Sequence, residues 1–132
     1  MSDPARPGYV LDASALIAYL NRERGGERVA PHLRGAFLST VNLSEVMVRV
    51  VELGHQAQDV PEDVADLQVE IVSFSPEHAR LAAELRPATR ALGLSLGDRA
   101  CLALGLERGA TVLTADRAWG ELGAPHNIEV IR

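Results

Sequence analysis

An α/β fold on a parallel sheet covered on both faces is the architecture this chain predicts, and two observations predict it. Short runs rich in β-formers alternate with stretches of helical periodicity along the whole length. Breaker residues stand between the segments, at Gly25-Gly26, Gly35, Gly54, Pro61, Gly93, Gly109 and Pro125. A third observation bears on purpose. Four carboxylates stand where apolar runs end or helices begin: Asp12 after Gly8-Tyr9-Val10-Leu11, Glu45 after Thr40-Val41-Asn42-Leu43-Ser44, Asp98 after Leu94-Ser95-Leu96-Gly97, and Asp116 after Thr111-Val112-Leu113-Thr114-Ala115. In an open α/β sheet the carboxyl ends of the strands line one crevice, so acids delivered there converge although they are far apart in sequence.

Taken in chain order, residues 9–12 form the first expected strand, with a helix starting near Ala13. The second strand, 36–40, leads into an unusual stretch. There Leu43, Val46, Met47, Val48, Val50, Val51 and Leu53 spread apolar side chains round most of a helix rather than along one stripe. Two explanations stand side by side: a helix buried within its own domain, or a face that a partner covers. The third strand is 69–74, after which Ser75-Pro76 opens a helix with a cap and a proline at its first position. The apolar series Ala100-Cys101-Leu102-Ala103-Leu104 makes the single cysteine a small buried hydrophobe, and no internal disulfide can form. The last two strands are 111–114 and 128–131.

A chain of 132 residues with 47% hydrophobic and 23% charged residues suits a single domain, 1–132, with residues 1–7 as a loose lead-in. No apolar run approaches the roughly 20 residues of a membrane span, and the start lacks a signal peptide's apolar stretch, so a cytoplasmic protein with no membrane partner is expected. The net charge of −5 argues against a protein that grips nucleic acid through a broad basic surface. It does not exclude a nuclease. With the four acids neutralised by a metal, the count moves from −5 to −1. All 13 basic residues are Arg; Arg suits phosphate recognition, and a genome-wide codon bias accounts for the absence of Lys equally well.

Each acid alone has a modest explanation. Asp12 can cap the helix near Ala13, as can Ser14; Glu45 can close a capping box with Asn42, Asp98 can do so with Ser95, and Asp116 can form an Asx turn. Separate caps account for the residue types but not for acids recurring where strands deliver them to one edge. Clustered like charges repel unless a cation sits among them. All-oxygen donors call for a hard ion such as Mg²⁺ or Mn²⁺; the hydroxyls of Ser14 and Thr114, close in sequence to Asp12 and Asp116, could orient a carboxylate or a metal-bound water, although hydroxyls that satisfy a turn are the more common case. Other chemistries lack their residues. His32, His55, His78 and His126 show no zinc-ligand spacing and are expected at the surface; without Lys there is neither a phosphate-binding P-loop nor a Schiff base, and no G-x-S-x-G occurs.

The segments Val10-Leu11-Asp12-Ala13-Ser14-Ala15-Leu16, Asn42-Leu43-Ser44-Glu45-Val46, Leu96-Gly97-Asp98-Arg99-Ala100 and Leu113-Thr114-Ala115-Asp116-Arg117-Ala118-Trp119 together resemble PIN-domain proteins of the bacterial VapC toxin kind. Their order and spacing agree over nearly the whole chain. The resemblance implies a three-layer α/β/α sandwich on a five-stranded parallel sheet. It also implies a Mg²⁺- or Mn²⁺-dependent endoribonuclease, the toxin of a type II toxin–antitoxin pair, held inactive by a VapB-type antitoxin and present as a homodimer or a toxin–antitoxin hetero-oligomer. In that reading Asp12 and Asp98 touch the metal most directly, Glu45 and Asp116 supply the other two acids, and Ser14 and Thr114 occupy supporting polar positions. Ala13 stands where many relatives carry a hydroxyl. Arg99 and Arg117 follow two of the acids, where they could guide an RNA backbone, although solvent-facing helix positions are the plainer expectation. Two rivals remain. A receiver or phosphatase fold also sets acids around Mg²⁺, but a receiver needs a lysine and Ser14 stands where the phosphatase D-x-D has its second acid. A catalytically weak PIN-like module that mainly binds a partner is the other, and four intact acids oppose it.

Overall fold

Five strands, β1 (Tyr9–Leu11), β2 (Phe37–Ser39), β3 (Glu70–Val72), β4 (Thr111–Thr114) and β5 (Asn127–Val130), pair side by side in the order β3-β2-β1-β4-β5. Every pairing is parallel. The computed structural model describes residues 8–132, so the expected lead-in at 1–7 lies outside the described residues. Alternation along the strands splits the core in two. Val10 and Val112 face one side, with Cys101, Leu102, Leu104 and Trp119; Leu11 and Leu113 face the other, with Ala15, Leu16, Leu38 and Val46. Both faces are thus covered, which is why the central strands read as unbroken apolar runs. Fully burying each such Leu contributes roughly 1.5–3 kcal/mol.

Among the described residues seven α-helices cover the faces: α1 (Ala13–Leu20), α2 (Gly26–Val29), α3 (Thr40–Glu52), α4 (Val60–Asp66), α5 (Pro76–Glu84), α6 (Arg86–Thr89) and α7 (Leu96–Arg108). Residues of α1 to α4 build the cluster around Leu11, and α7, backed by α5, builds the one around Val10. The three-layer α/β/α sandwich is therefore present. The chain steps outward from β1 to β3 and then crosses back to β4, so connections leave β1 in opposite directions. The crevice that forms beyond the carboxyl ends of β1 and β4 lies at this switch.

The first three strands are shorter than the sequence predicts, because residues at their carboxyl ends go to the helices that follow, whereas 111–114 is a strand as expected and the last one is shifted by one residue to 127–130. Asp12 leaves the first ladder to cap α1, and Ser39 caps α3, so Thr40 begins a helix instead of ending a strand. Beyond β3, the Phe74 N–H donates to the Thr40 hydroxyl at 3.1 Å, and Ser75 caps α5 ahead of Pro76, as expected. The apolar stretch from Leu43 to Leu53 is divided, part of it in the core and part of it at the surface. Leu43 and Val46 are buried, whereas Val48, Val51 and Leu53 are 54%, 56% and 48% exposed. The helix has a core stripe and, on its other side, an apolar surface. Among the described residues no helix is long and apolar enough to cross a membrane.

Two placements correct the sequence reading. His78 is buried, not at the surface: its backbone N–H donates to Ser75 Oγ, its Nδ1 accepts from the Ser75 N–H, and its Nε2 stands 2.9 Å from Glu107 Oε2 on α7, outside hydrogen-bond alignment. Glu45 does not close a capping box either, because α3 starts upstream at Thr40 and Asn42 lies inside it.

Candidate functional site

Asp12 follows the central strand and is 5% exposed. Its extended backbone makes it the N-cap of α1, where Oδ1 accepts from the Ala15 N–H at 2.8 Å. Two hydroxyls close round it. Ser14 Oγ donates to Oδ1 at 2.7 Å and lies 2.9 Å from Oδ2, while Thr114 Oγ1, at the end of β4, donates to Oδ2 at 2.6 Å. The direction of these bonds is settled by the backbone. Ser14 Oγ accepts from the Ala115 N–H and Thr114 Oγ1 from the Asp116 N–H, at 2.9 and 3.0 Å, so each hydroxyl turns its single proton to the carboxylate. Burial nevertheless pushes the Asp12 carboxyl up from 3.8 to about 6, against the hydrogen bonds from Thr114, Ala15 and Ser14 and with help from the charge on Asp98. Ser14 and Thr114, expected as supporting hydroxyls, both touch the Asp12 carboxylate.

Glu45 projects from α3 and Asp98 from the first turn of α7. Burial raises the Glu45 carboxyl, Asn42 opposes this by donating from Nδ2 to Oε1 at 2.8 Å, and the Asp98 charge adds to the rise. Asp98 completes the expected capping box: its N–H donates to Ser95 Oγ, and the Ser95 N–H donates back to Oδ2 at 2.9 Å. Asp98 therefore presses on both other acids. Beneath them Cys101 is wholly buried and its thiol is pushed well up, first by burial and then by Asp12, Asp98 and Glu45. The expected buried cysteine is what the structure contains, and the charges of Asp12, Asp98 and Glu45 all reach it.

Asp116 stands at the rim. It is exposed, caps the short 3-10 helix Arg117–Glu121 by accepting from the Ala118 N–H at 3.0 Å, and joins the group through its backbone N–H on Thr114. Neither arginine beside the acids turns into the cleft. Arg99 Nη1 donates to the Ala82 carbonyl on α5 at 2.9 Å, so it is a packing residue between helices, and the Arg117 Nε donates to the Arg132 carbonyl at 3.2 Å. One contributor was read from the sequence only as a possible cap partner of Glu45. Asn42, 1% exposed, bridges Glu45 to the Gly97 carbonyl; the Asn-x-x-Glu spacing within one helix was its only signal.

Among the described residues no Arg or His pairs with any of the four carboxylates. Nor is any group of three His, Cys, Asp or Glu side chains arranged to hold a metal ion. The donor chemistry fits a hard cation, since the set is all oxygen, Asp12 is destabilised as an anion and no basic partner relieves it. The side chains as placed do not form a closed cage.

A family model of the PIN domain matches residues 9–125. No curated protein matches the chain. Among solved structures, a toxin–antitoxin complex from Klebsiella pneumoniae contains a chain with a TM-score of 0.76 and 19% identity, over 95% of this chain and 98% of that one. VapBC2 from Rickettsia felis, bound to a DNA fragment from its promoter, matches with a TM-score of 0.66 and 18% identity, over 94% and 98%. VapBC-5 from Mycobacterium tuberculosis matches with 0.59 and 23%, over 96% and 99%. At these identities the structural likeness is one of fold. The family match, which spans all five strand-forming segments but the last and all four acids, is what identifies the chain: it belongs to the PIN domain family.

Proposed function

We propose that this chain is a Mg²⁺- or Mn²⁺-dependent endoribonuclease, the toxin of a VapBC-type pair, with RNA as substrate and a VapB-type antitoxin as partner. The observation that carries the reading is Asp12, a carboxylate buried at the sheet's switch point, without a basic partner and with Asp98 and Glu45 beside it. Such an arrangement wants a cation more than it wants either solvent or a proton. Asp12, Asp98 and Glu45 would hold the ion, with Asp116 at the rim. A bound divalent ion supplies the positive charge that phosphodiester hydrolysis requires.

The chain's own residues supply positioning. Ser14 and Thr114 hold both Asp12 oxygens in one orientation, and because the Ala115 and Asp116 N–H groups fix the hydroxyls, the carboxylate cannot turn without breaking several hydrogen bonds. The Ser95 capping box fixes Asp98 in the same way. Partner binding is supported by the exposed apolar side of α3 and by the toxin–antitoxin complexes that share the fold.

The test is cleavage of a labelled RNA by purified chain in Mg²⁺, Mn²⁺ and chelator. Activity is expected only with the ions, and Asp12→Asn should lower it by at least ~100-fold, as loss of a direct ligand does. Undiminished cleavage in chelator or in the variant overturns the metal mechanism. The open spacing of the carboxylates favours the second reading, a partner-binding module with weak catalysis. Tight antitoxin binding by a chain that neither takes up Mn²⁺ nor cuts RNA would select it.

A further inference from the structure

The Asn42 amino group makes two hydrogen bonds that join elements far apart in sequence, to Glu45 Oε1 on its own helix at 2.8 Å and to the Gly97 carbonyl at the start of α7 at 3.0 Å. Both partners are pure acceptors, so only the amino end of the amide can face them. Turned round, the side chain would set oxygen against two oxygens. The other end of the amide confirms what the residue is kept for: Oδ1 is buried with no partner. An apolar residue of similar size would avoid that loss, and Asn is a poor helix former.

Gly97 completes the arrangement. A Cβ there would stand 2.6 Å from Glu45 Cδ and 2.8 Å from Oε1, and closer still to Oε2. The Glu45 carboxylate lies where a side chain would begin. Its seat is therefore a backbone surface left bare by glycine, and Asn42 is the strap across it. Asn42 occupies the third position of α3, where a capping-box residue would reach back to the Ser39 N–H, yet its recorded bonds run forward and across.

We infer that Asn42 is a positioning residue for Glu45, holding its carboxylate on the bare backbone of Gly97 so that it faces the cation-binding acids. The inference rests on the reading of Asp12, Asp98 and Glu45 as cation ligands. Asn42 touches neither ion nor RNA in this account; it acts only through Glu45. Loss of a residue that orients a ligand typically weakens metal binding 10–100-fold.

The experiment is a double-mutant cycle of Asn42→Ala and Glu45→Ala, with thermal melts to confirm folding, read in two ways. Mn²⁺ affinity, from the electron paramagnetic resonance of free Mn²⁺, should fall at least ~10-fold in Asn42→Ala, and adding Asn42→Ala to Glu45→Ala should cost nothing further. In chelator, NMR relaxation of the Glu45 side chain should show it becoming mobile in Asn42→Ala, and Gly97→Ala should displace it while Asn42 remains. Equal Mn²⁺ losses in the two backgrounds, or a Glu45 side chain as ordered without Asn42 as with it, would overturn the inference. Failure of the functional reading looks different: the parent chain would take up no Mn²⁺ while Glu45 still loosened in chelator.

Discussion

Asp12 does two things that pull against each other. As a cap it stabilises α1, and as a buried anion it destabilises the fold. A carboxyl moved from 3.8 to about 6 holds its proton more tightly in the folded chain than in the unfolded one. Below pH ~4 both states are protonated and nothing is lost; from there to pH ~6 stability falls as pH rises, levelling at a penalty of about 3 kcal/mol. Asn caps as well as Asp, so Asp12→Asn keeps the cap and removes the charge, at about 1 kcal/mol for the hydrogen bonds its amide makes less well. In chelator at pH 7.5 the variant should be more stable than the parent by about 2 kcal/mol, and toward pH 4 and below that advantage should vanish and the order turn by up to about 1 kcal/mol. Urea melts across that range decide it; a constant difference at all pH values would show that Asp12 is not carrying a buried charge. The caps at Asp12, Asp98 and Asp116 were legible because a cap is a local pattern. Asn42 and His78 were not. What buries them, Gly97 and Glu107, lies 55 residues away for the one and on α7 for the other.

At the scale of elements, the alternation of strand and helix was fully legible and the strand ends were not, since a residue such as Ser39 can serve either the ladder or the next helix. Ser39 does both, closing β2 opposite Val72 while its hydroxyl accepts from the Val41 N–H, and Thr40 passes to the helix because an N-cap satisfies donors the ladder leaves alone. The end of α7 shows the same economy. Gly109 closes it with φ 59 and nothing within 4 Å of the place a Cβ would take. Strain in the left-handed region is then the only cost of Gly109→Ala, which should destabilise by about 1 kcal/mol without altering Mn²⁺ affinity or cleavage. Denaturant unfolding and an RNA assay on the same preparation check both halves. A loss of activity greater than the loss of folded protein would mean that the α7 terminus reaches the site.

For the molecule as a whole, α3 serves two surfaces, the acidic cleft through Glu45 and an exposed apolar side through Val48 and Val51. Val51, 56% exposed, can be changed to Asp with little effect on stability. If the proposed antitoxin covers this side, Val51→Asp should weaken its affinity at least ~10-fold while RNA cleavage by the free chain stays at the parental rate. Binding titrations against both proteins measure this, and an unchanged affinity would move the interface elsewhere. Sequence patterning foretold an apolar α3 but not how it divides, because that depends on which residues α1 and α7 happen to cover.

The placing of Asp12 between β1 and β4 also has a consequence in time. Thr114, which orients it, enters the chain 102 residues later, and the central strand gains its second neighbour only when β4 has been made. A ribosome that stops before Thr111 releases a chain with Asp12, Glu45 and Asp98 already in its sequence but no frame to hold them. For a protein proposed to destroy RNA, strand order thus ties assembly of the site to the synthesis of β4 and Thr114.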